Sequence, residues 1–371
     1  MRLTINDGKA FTRLFDTVMR FTGGQMFENV LCTVDKDGKL LLSACSVESS
    51  IIAQCHNVLC DGSGSAIFPA KSVSALLKKV DAPIHIEFKD EKCIVESGKC
   101  RYRFAVPPVD SFPDMSGLHS GETLCSVKTQ DIAKAILFGG TCATLKNEYP
   151  VYIAGVHINT SGNIMEIAST DTKRLSVSTI GCSDVVGDGI DAILPWRVMK
   201  DACRVIEQFQ DEEIRITEGK GALCFTGSDI SISVRRLAAA FPKIKSVIPQ
   251  KQDALAVCTI LRKELLGSIQ RISVVSTKDT GCVKLSPDVD GISLSAAVEG
   301  ACEINEFIQS DWNGQSFDSG WNIDFLSSGV SAFDDDVLEL FLYGAEKPMI
   351  IAGRDESSRL YLVMPISLSS V

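Results

Sequence analysis

Phe11, Leu14, Phe15 and Val18 fall at i, i+3, i+4 and i+7, and this rhythm predicts a helix over Lys9 to Phe21 with one apolar stripe. Arg13, Thr17 and Arg20 lie off that stripe. The rhythm then shortens to strands. Val30 to Val34 and Leu40 to Ala44 flank Asp37-Gly38 as a hairpin, and Ile84 to Phe88 alternates like a half-buried strand. A second helix is expected over Ala70 to Val80, with further strands at Cys93 to Glu96 and Arg101 to Val106.

The same order returns. Asp131 is the expected N-cap of a helix bearing Ile132, Ile136 and Leu137 on its apolar face, and strands follow at Val151 to Ile158 and Ile164 to Ala168. After Pro195 a helix turns Val198, Ala202, Val205 and Ile206 inward and Arg197, Lys200 and Arg204 outward; strands follow at Glu213 to Thr217 and Ile230 to Arg236. A third pass has helices over Arg262 to Ser273 and Ile323 to Phe333, then strands at Val337 to Leu342, Met349 to Ala352 and Leu360 to Pro365. In the first of those helices Leu265, Leu266, Ile269 and Ile272 face inward.

Short motifs mark the repeat. Gly38 to Ala44 is echoed by Gly162 to Ala168 and more weakly by Gly291 to Ala297. Ala66-Ile67-Phe68-Pro69 is echoed by Ala192-Ile193-Leu194-Pro195, and Phe112-Pro113-Asp114-Met115 by Phe241-Pro242-Lys243-Ile244. The period is about 125 residues, too long for a solenoid and right for a domain. Each unit therefore has two helices and about eight strands, an α+β unit used three times.

Composition narrows the class. The 371 residues are 45% hydrophobic and 23% charged, the balance of a globular protein. No apolar run is long enough to span a bilayer, and the start lacks the apolar stretch of a signal peptide, so the expected compartment is the cytoplasm. The 14 cysteines form no CxxC pair and the four histidines are scattered, which points to reduced, mostly buried thiols and no metal site. The net charge of −10 argues against a nucleic-acid binder until its distribution is considered. Lys and Arg are ordinary helix-surface residues, so one basic face means little. Their recurrence on five of six expected helices, with acids gathered in turns, carries more weight. No P-loop, GxGxxG loop, GxSxG elbow or HExxH helix occurs, and Asp171 with Arg174 reads as a structural pair rather than a catalytic one.

Three stretches bring in a resemblance: Ser169 to Leu175, Phe241 to Pro249, and Tyr361 to Ile366. With the threefold plan, they make the whole chain resemble the beta subunit of bacterial DNA polymerase III, the sliding clamp family. The resemblance implies a DNA clamp fold with domains at 1–122, 123–250 and 251–371. It implies a homodimer closed head to tail around double-stranded DNA, without sequence preference, catalysis or cofactor. Partners implied are the polymerase III alpha subunit, the clamp loader, and other replication and repair proteins carrying clamp-binding peptides.

Family positions map onto residues here. A peptide pocket is expected from Ile153, Thr170, Arg174, Leu175, Pro242, Val247, Phe325, Leu362, Met364, Pro365 and Ile366. DNA-facing residues are expected to be Arg13, Arg20, Lys71, Lys78, Lys134, Lys146, Arg197, Lys200, Arg204, Arg262, Lys263 and Arg271, with Asn147 beside Lys146. The dimer interface is expected to use Phe104, Val106, Ile272, Val274 and Val275. The chain departs from the family at Thr172 (often glycine), Lys173 (often histidine), and Ser246 and Ser367 (often basic). Two other readings stand beside this one: an enzyme, and a peptide-binding scaffold that never encircles DNA.

Overall fold

Helix α1 (Gly8–Met19) forms where the apolar stripe predicts it, and Asp7 starts it by accepting from the Ala10 amide at 2.9 Å. Phe11, Phe15 and Val18 are buried, and Phe15 meets Phe68 edge-on at 5.5 Å. Thr17, expected outside the stripe, is also buried; its hydroxyl donates to the Arg13 carbonyl at 2.9 Å, which satisfies it inside the helix. The computed structural model describes all residues except 24–26, 90, 147–148, 275–280, 299–301, 355–357 and 369–371.

One element order runs through the chain three times. The first pass is β1 (Arg2–Ile5), α1, β2 (Asn29–Val34), β3 (Leu40–Cys45), β4 (Ser49–Cys55), β5 (Val58–Asp61), β6 (Gly64–Pro69), α2 (Ala70–Leu77), β7 (Ile84–Lys89), β8 (Lys92–Ser97) and β9 (Cys100–Ala105). The second is β10 (Thr123–Lys128), α3 (Thr129–Gly139), β11 (Gly155–Ser161), β12 (Ile164–Thr170), β13 (Arg174–Gly181), β14 (Asp191–Pro195), α4 (Trp196–Ile206), β15 (Glu213–Gly219), β16 (Ala222–Thr226) and β17 (Ile230–Arg235). The third is β18 (Ala256–Leu261), α5 (Arg262–Ser273), β19 (Cys282–Asp288), β20 (Gly291–Val298), β21 (Cys302–Gln309), β22 (Asp311–Gly314), β23 (Ser319–Asn322), α6 (Ile323–Ala332), β24 (Val337–Leu342), β25 (Met349–Gly353) and β26 (Arg359–Val363).

Antiparallel pairing joins these passes. The last strand of the second pass pairs with the first, β17 on β4, making an eight-stranded sheet in the order β10-β15-β16-β17-β4-β3-β2-β6. The last strand of the third pass pairs with the second, β26 on β13, within a nine-stranded sheet. A five-stranded sheet ends on β9 and a four-stranded sheet on β21. Contacts divide the chain into two compact units. One holds Met1–Ala133, Gly181–Ile190 and Arg197–Arg236, and the other Lys134–Ile180, Asp191–Trp196 and Leu237–Val371. The second pass thus contributes one set of strands to each unit, because its sheets are completed by strands of its neighbours.

Several local expectations shift. Asp131 lies inside the first turn of α3 and is not its cap; a carboxylate there favours the helix through its dipole. The strand expected from Val151 opens instead with a 3-10 turn at Val151–Ala154, and extended pairing begins at Gly155. Helix α2 stops at Leu77, leaving Lys78 as its C-cap. The glycine-anchored motif is out of step by one residue. Leu40, Leu42 and Ala44 are buried, and they correspond to the buried Met165, Ile167 and Ser169 and to Ile292, Leu294 and Ala296. Val34 faces Leu40 across a longer turn, whereas Ser161 faces Ile164 across Gly162 and Asn163 alone. In a strand one position decides the face, so burial rather than the glycine fixes the true correspondence.

The segment between β9 and β10 is held by His119. Its Nε2 lies 2.8 Å from the Ser50 hydroxyl on β4 and its Nδ1 2.9 Å from the Ser231 hydroxyl on β17, so it bridges both sides of that joint. Burial pushes the imidazole down to about 4. The folded protein therefore resists protonating a group that the unfolded chain protonates near its ordinary 6.5. Stability from this histidine is present above about 6.5 and is lost as pH falls toward about 4, by of order 3 kcal/mol. Urea unfolding across that window is expected to show this loss in the native protein and a shallower one in His119→Gln.

Candidate functional site

The residues expected to form a pocket lie within one compact unit, around the β13–β26 joint. Leu175 pairs with Leu362 across that joint, and both are at most 4% exposed. They sit in an apolar cluster with Ala168, Val177, Ile244, Phe341, Ile350 and Ala352, against which Phe241, Ile248 and Leu360 pack. Above this floor Val247 is 59% exposed, Met364 42% exposed, and Pro242 exposed. Ile153 and Thr170 are buried, while Pro365 and Ile366 are half-buried. The Met364 amide donates to the Lys173 carbonyl at 2.9 Å, and the Ile366 amide to the Gly320 carbonyl at 2.8 Å, which anchors the C-terminal segment beside this floor.

Arg174 is built into one wall. Its Nε donates to Asp171 Oδ2 at 2.8 Å and its guanidinium lies 4.4 Å from the centre of the Phe325 ring. Tyr361 donates to the Phe325 carbonyl at 2.8 Å and stands 3.4 Å from Arg174. Burial disfavours the Arg174 charge, yet Tyr361 and Asp171 outweigh it and hold the cation firmly charged. Burial, with Cys142 nearby, raises the Tyr361 phenol, so it remains a donor. Asp171 also accepts from the Lys173 and Arg174 amides at 3.1 and 3.0 Å, closing the turn that aims Arg174.

The role of Asp171 as a positioning partner was legible from its place two residues from Lys173 and three from Arg174; the role of Tyr361 was not, since it lies 187 positions from Arg174. The aromatic stack of Phe241 on His157 (4.4 Å, 15°), with Tyr152 at its edge, also escapes the sequence. It braces the chain just before Pro242.

The cationic residues are less free than their helix positions suggest. Lys71 pairs with Glu28, Lys78 with Asp16, Arg197 with Glu48, Arg204 with Asp201, and Arg271 with Glu306. Arg262 is half-buried and its Nε donates to the Asp335 carbonyl at 2.9 Å, so it braces the fold as well as offering charge. Arg13, Arg20, Lys134 and Lys263 are exposed and make no ion pair among the described residues. Lys146 is exposed and Lys200 half-buried; Asn147 lies outside the described residues. Of these acids only Asp201 was readable, three residues from Arg204 on one helix.

For the expected interface, Phe104 and Val106 are half-buried at the end of β9, and Val274 is 84% exposed at the end of α5. Ile272 is corrected: it is fully buried in the core with Leu265 and Ile269, where its place on the inward helix face puts it. Val275 lies outside the described residues. All 14 cysteines are unpaired and 11 are buried, Cys100 and Cys302 being exposed. No helix is long and apolar enough to cross a membrane among the described residues.

Thr172 stands at φ +75°, a left-handed conformation costly for a β-branched side chain. Thr172→Gly is expected to stabilise the protein by about 0.5–1 kcal/mol in denaturant unfolding, the relieved strain exceeding the entropy added to the unfolded chain.

Comparison with known proteins identifies the family and the fold. The central domain of the DNA polymerase III beta subunit matches residues 127–243, and its C-terminal domain residues 245–367. The beta sliding clamp of Synechococcus elongatus is 26% identical over 334 residues, covering 87% of this chain and 86% of that one. That of Haemophilus influenzae is 21% identical over 345 residues, 92% of each. The beta subunit of Streptococcus pyogenes superimposes with a TM-score of 0.91 at 18% identity, over 99% of this chain and 100% of that one. A Pseudomonas aeruginosa beta subunit gives 0.89 at 19% identity, again over 99% and 100%. The chain belongs to the DNA polymerase III beta subunit family, the bacterial sliding clamps, and is a non-catalytic processivity subunit of DNA replication.

Proposed function

We propose that two copies of this chain, each of three domains at 1–122, 123–250 and 251–371, close head to tail into a ring around duplex DNA. The observation that carries this is a strand joint used twice and left open once. In β17–β4, Val234 faces Ser49 and Ile232 faces Ile51; in β26–β13, Val363 faces Arg174 and Tyr361 faces Ser176. The equivalent strands are β9 and β21, which end their sheets without a further partner among the described residues. Carried over by position and burial, the same joint sets Phe104 against Cys302 of the partner subunit and Tyr102 against Ile304 of the partner subunit. It also brings Arg103 to Glu303 of the partner subunit, opposite charges on facing strands. Val106 and Val274 flank this seam.

Arg13, Arg20, Lys71, Lys78, Lys134, Lys146, Arg197, Lys200, Arg204, Arg262, Lys263 and Arg271 give the ring its DNA-facing charge, reading phosphates and no bases. The groove over Leu175 and Leu362 takes short peptides from the polymerase alpha subunit, the clamp loader and repair proteins, with Met364 and Val247 as adaptable rim. The ring works in the cytoplasm on chromosomal DNA.

Mild oxidation of Phe104→Cys is expected to give a covalent dimer of twice the 40.1 kDa chain, absent when Cys302→Ser is added. A light-scattering dimer without cross-linking rejects this register; a monomer at every concentration rejects the ring.

Met364→Ala with Val247→Ala is expected to weaken a fluorescent alpha-subunit peptide about 10- to 100-fold while leaving the mass in solution unchanged. These exposed side chains are the better probes, since truncating the buried Leu175 costs about 2–5 kcal/mol of fold stability.

A further inference from the structure

Between the end of α1 and the start of α4 lies a cavity of about 550 Å³, lined by Arg20, Thr22, Ser46, Glu48, Ser49 and Arg197 among others, all within one compact unit. Two guanidinium groups on one open surface fit a phosphodiester, while the Thr22, Ser46 and Ser49 hydroxyls beside them are bonded within the protein. Two lining carboxylates do not fit one: Asp201, which pairs with Arg204 at 2.8 Å, and Glu48. Glu48 projects from the turn between β3 and β4 and holds Arg197 Nη2 at 2.6 Å, with the arginine 65% and the glutamate 32% exposed. A pair this open to water contributes little to stability, so stability alone gives no strong reason for an acid to face a DNA-binding arginine.

We infer that this cavity takes a backbone phosphate of duplex DNA and that Glu48 is an exchangeable counter-ion that keeps the contact weak. The inference rests on the reading that this surface meets DNA and goes beyond it, because it assigns an opposing residue. When phosphate takes Arg197, Glu48 loses its partner and must gather a cation from solution. The counter-ion released from DNA is then offset by one captured on the protein, and net release at this contact is close to zero. Without the carboxylate the same contact releases its ion outright. Glu28 at Lys71, Asp16 at Lys78, Asp201 at Arg204 and Glu306 at Arg271 repeat the arrangement, which fits a protein that must stay near DNA without gripping it.

The test is equilibrium binding of a short fluorescent duplex to the full chain, by anisotropy across a low-salt series, with Glu48→Gln, Arg197→Gln and the double variant. Glu48→Gln is expected to bind about threefold tighter at the lowest salt, because one exposed ion pair with Arg197 no longer has to be broken before phosphate is taken. Its log K against log salt plot is expected to steepen by about 0.9. In the Arg197→Gln background the same substitution is expected to lose both effects. Equal affinity and slope for Glu48→Gln and the native chain overturns the inference while leaving DNA binding intact. A gain that persists without Arg197 reduces it to net charge and also overturns it. Absence of duplex binding by every variant overturns both it and the reading on which it rests.

Discussion

The antiparallel joint between the last strand of one repeat and an outer strand of another is the interaction on which the rest depends. It welds β17 to β4 and β26 to β13, so backbone groups that would sit on bare sheet edges are paired. It also explains why contacts define two units where the element order defines three repeats: sheet pairing runs across repeat boundaries. The proposed peptide groove is a by-product of this geometry. Leu175 and Leu362 meet because their strands pair, and both enter an apolar cluster with Ile244, against which Phe241 and Ile248 pack.

Arg174 shows how the joint holds a fixed charge beside an apolar floor. A guanidinium beside an apolar floor is costly unless its donors are engaged. Asp171, the Phe325 ring and Tyr361 engage it from a turn, a helix and the neighbouring strand. The charge is thereby held in one place, and the proposed groove gains a fixed polar edge beside Met364.

Charge is handled differently on the helices. There Lys71, Arg197 and Arg204 stand in water beside partly exposed acids, where pairing is weak. The −10 net charge and the proposed DNA-facing role are compatible because acids sit beside only some of these cations, while Arg13, Arg20, Lys134 and Lys263 make no ion pair among the described residues.

Periodicity by itself determined the helices, most strands and the threefold order. Those depend on neighbours in the chain: Phe11, Phe15 and Val18 share a face because of helical spacing, whatever lies opposite. It could also place Asp171 beside Arg174 in one turn. It misjudged the phase of the glycine motif, since turn length shifts a strand by one residue and only burial reveals which face is inward. Tertiary structure alone decided that Glu48 neutralises Arg197 across 149 positions, that Tyr361 braces Arg174, and that His119 sits neutral between two serines of different strands. Each depends on which segments come together when the sheets pair, and local spacing carries no record of that.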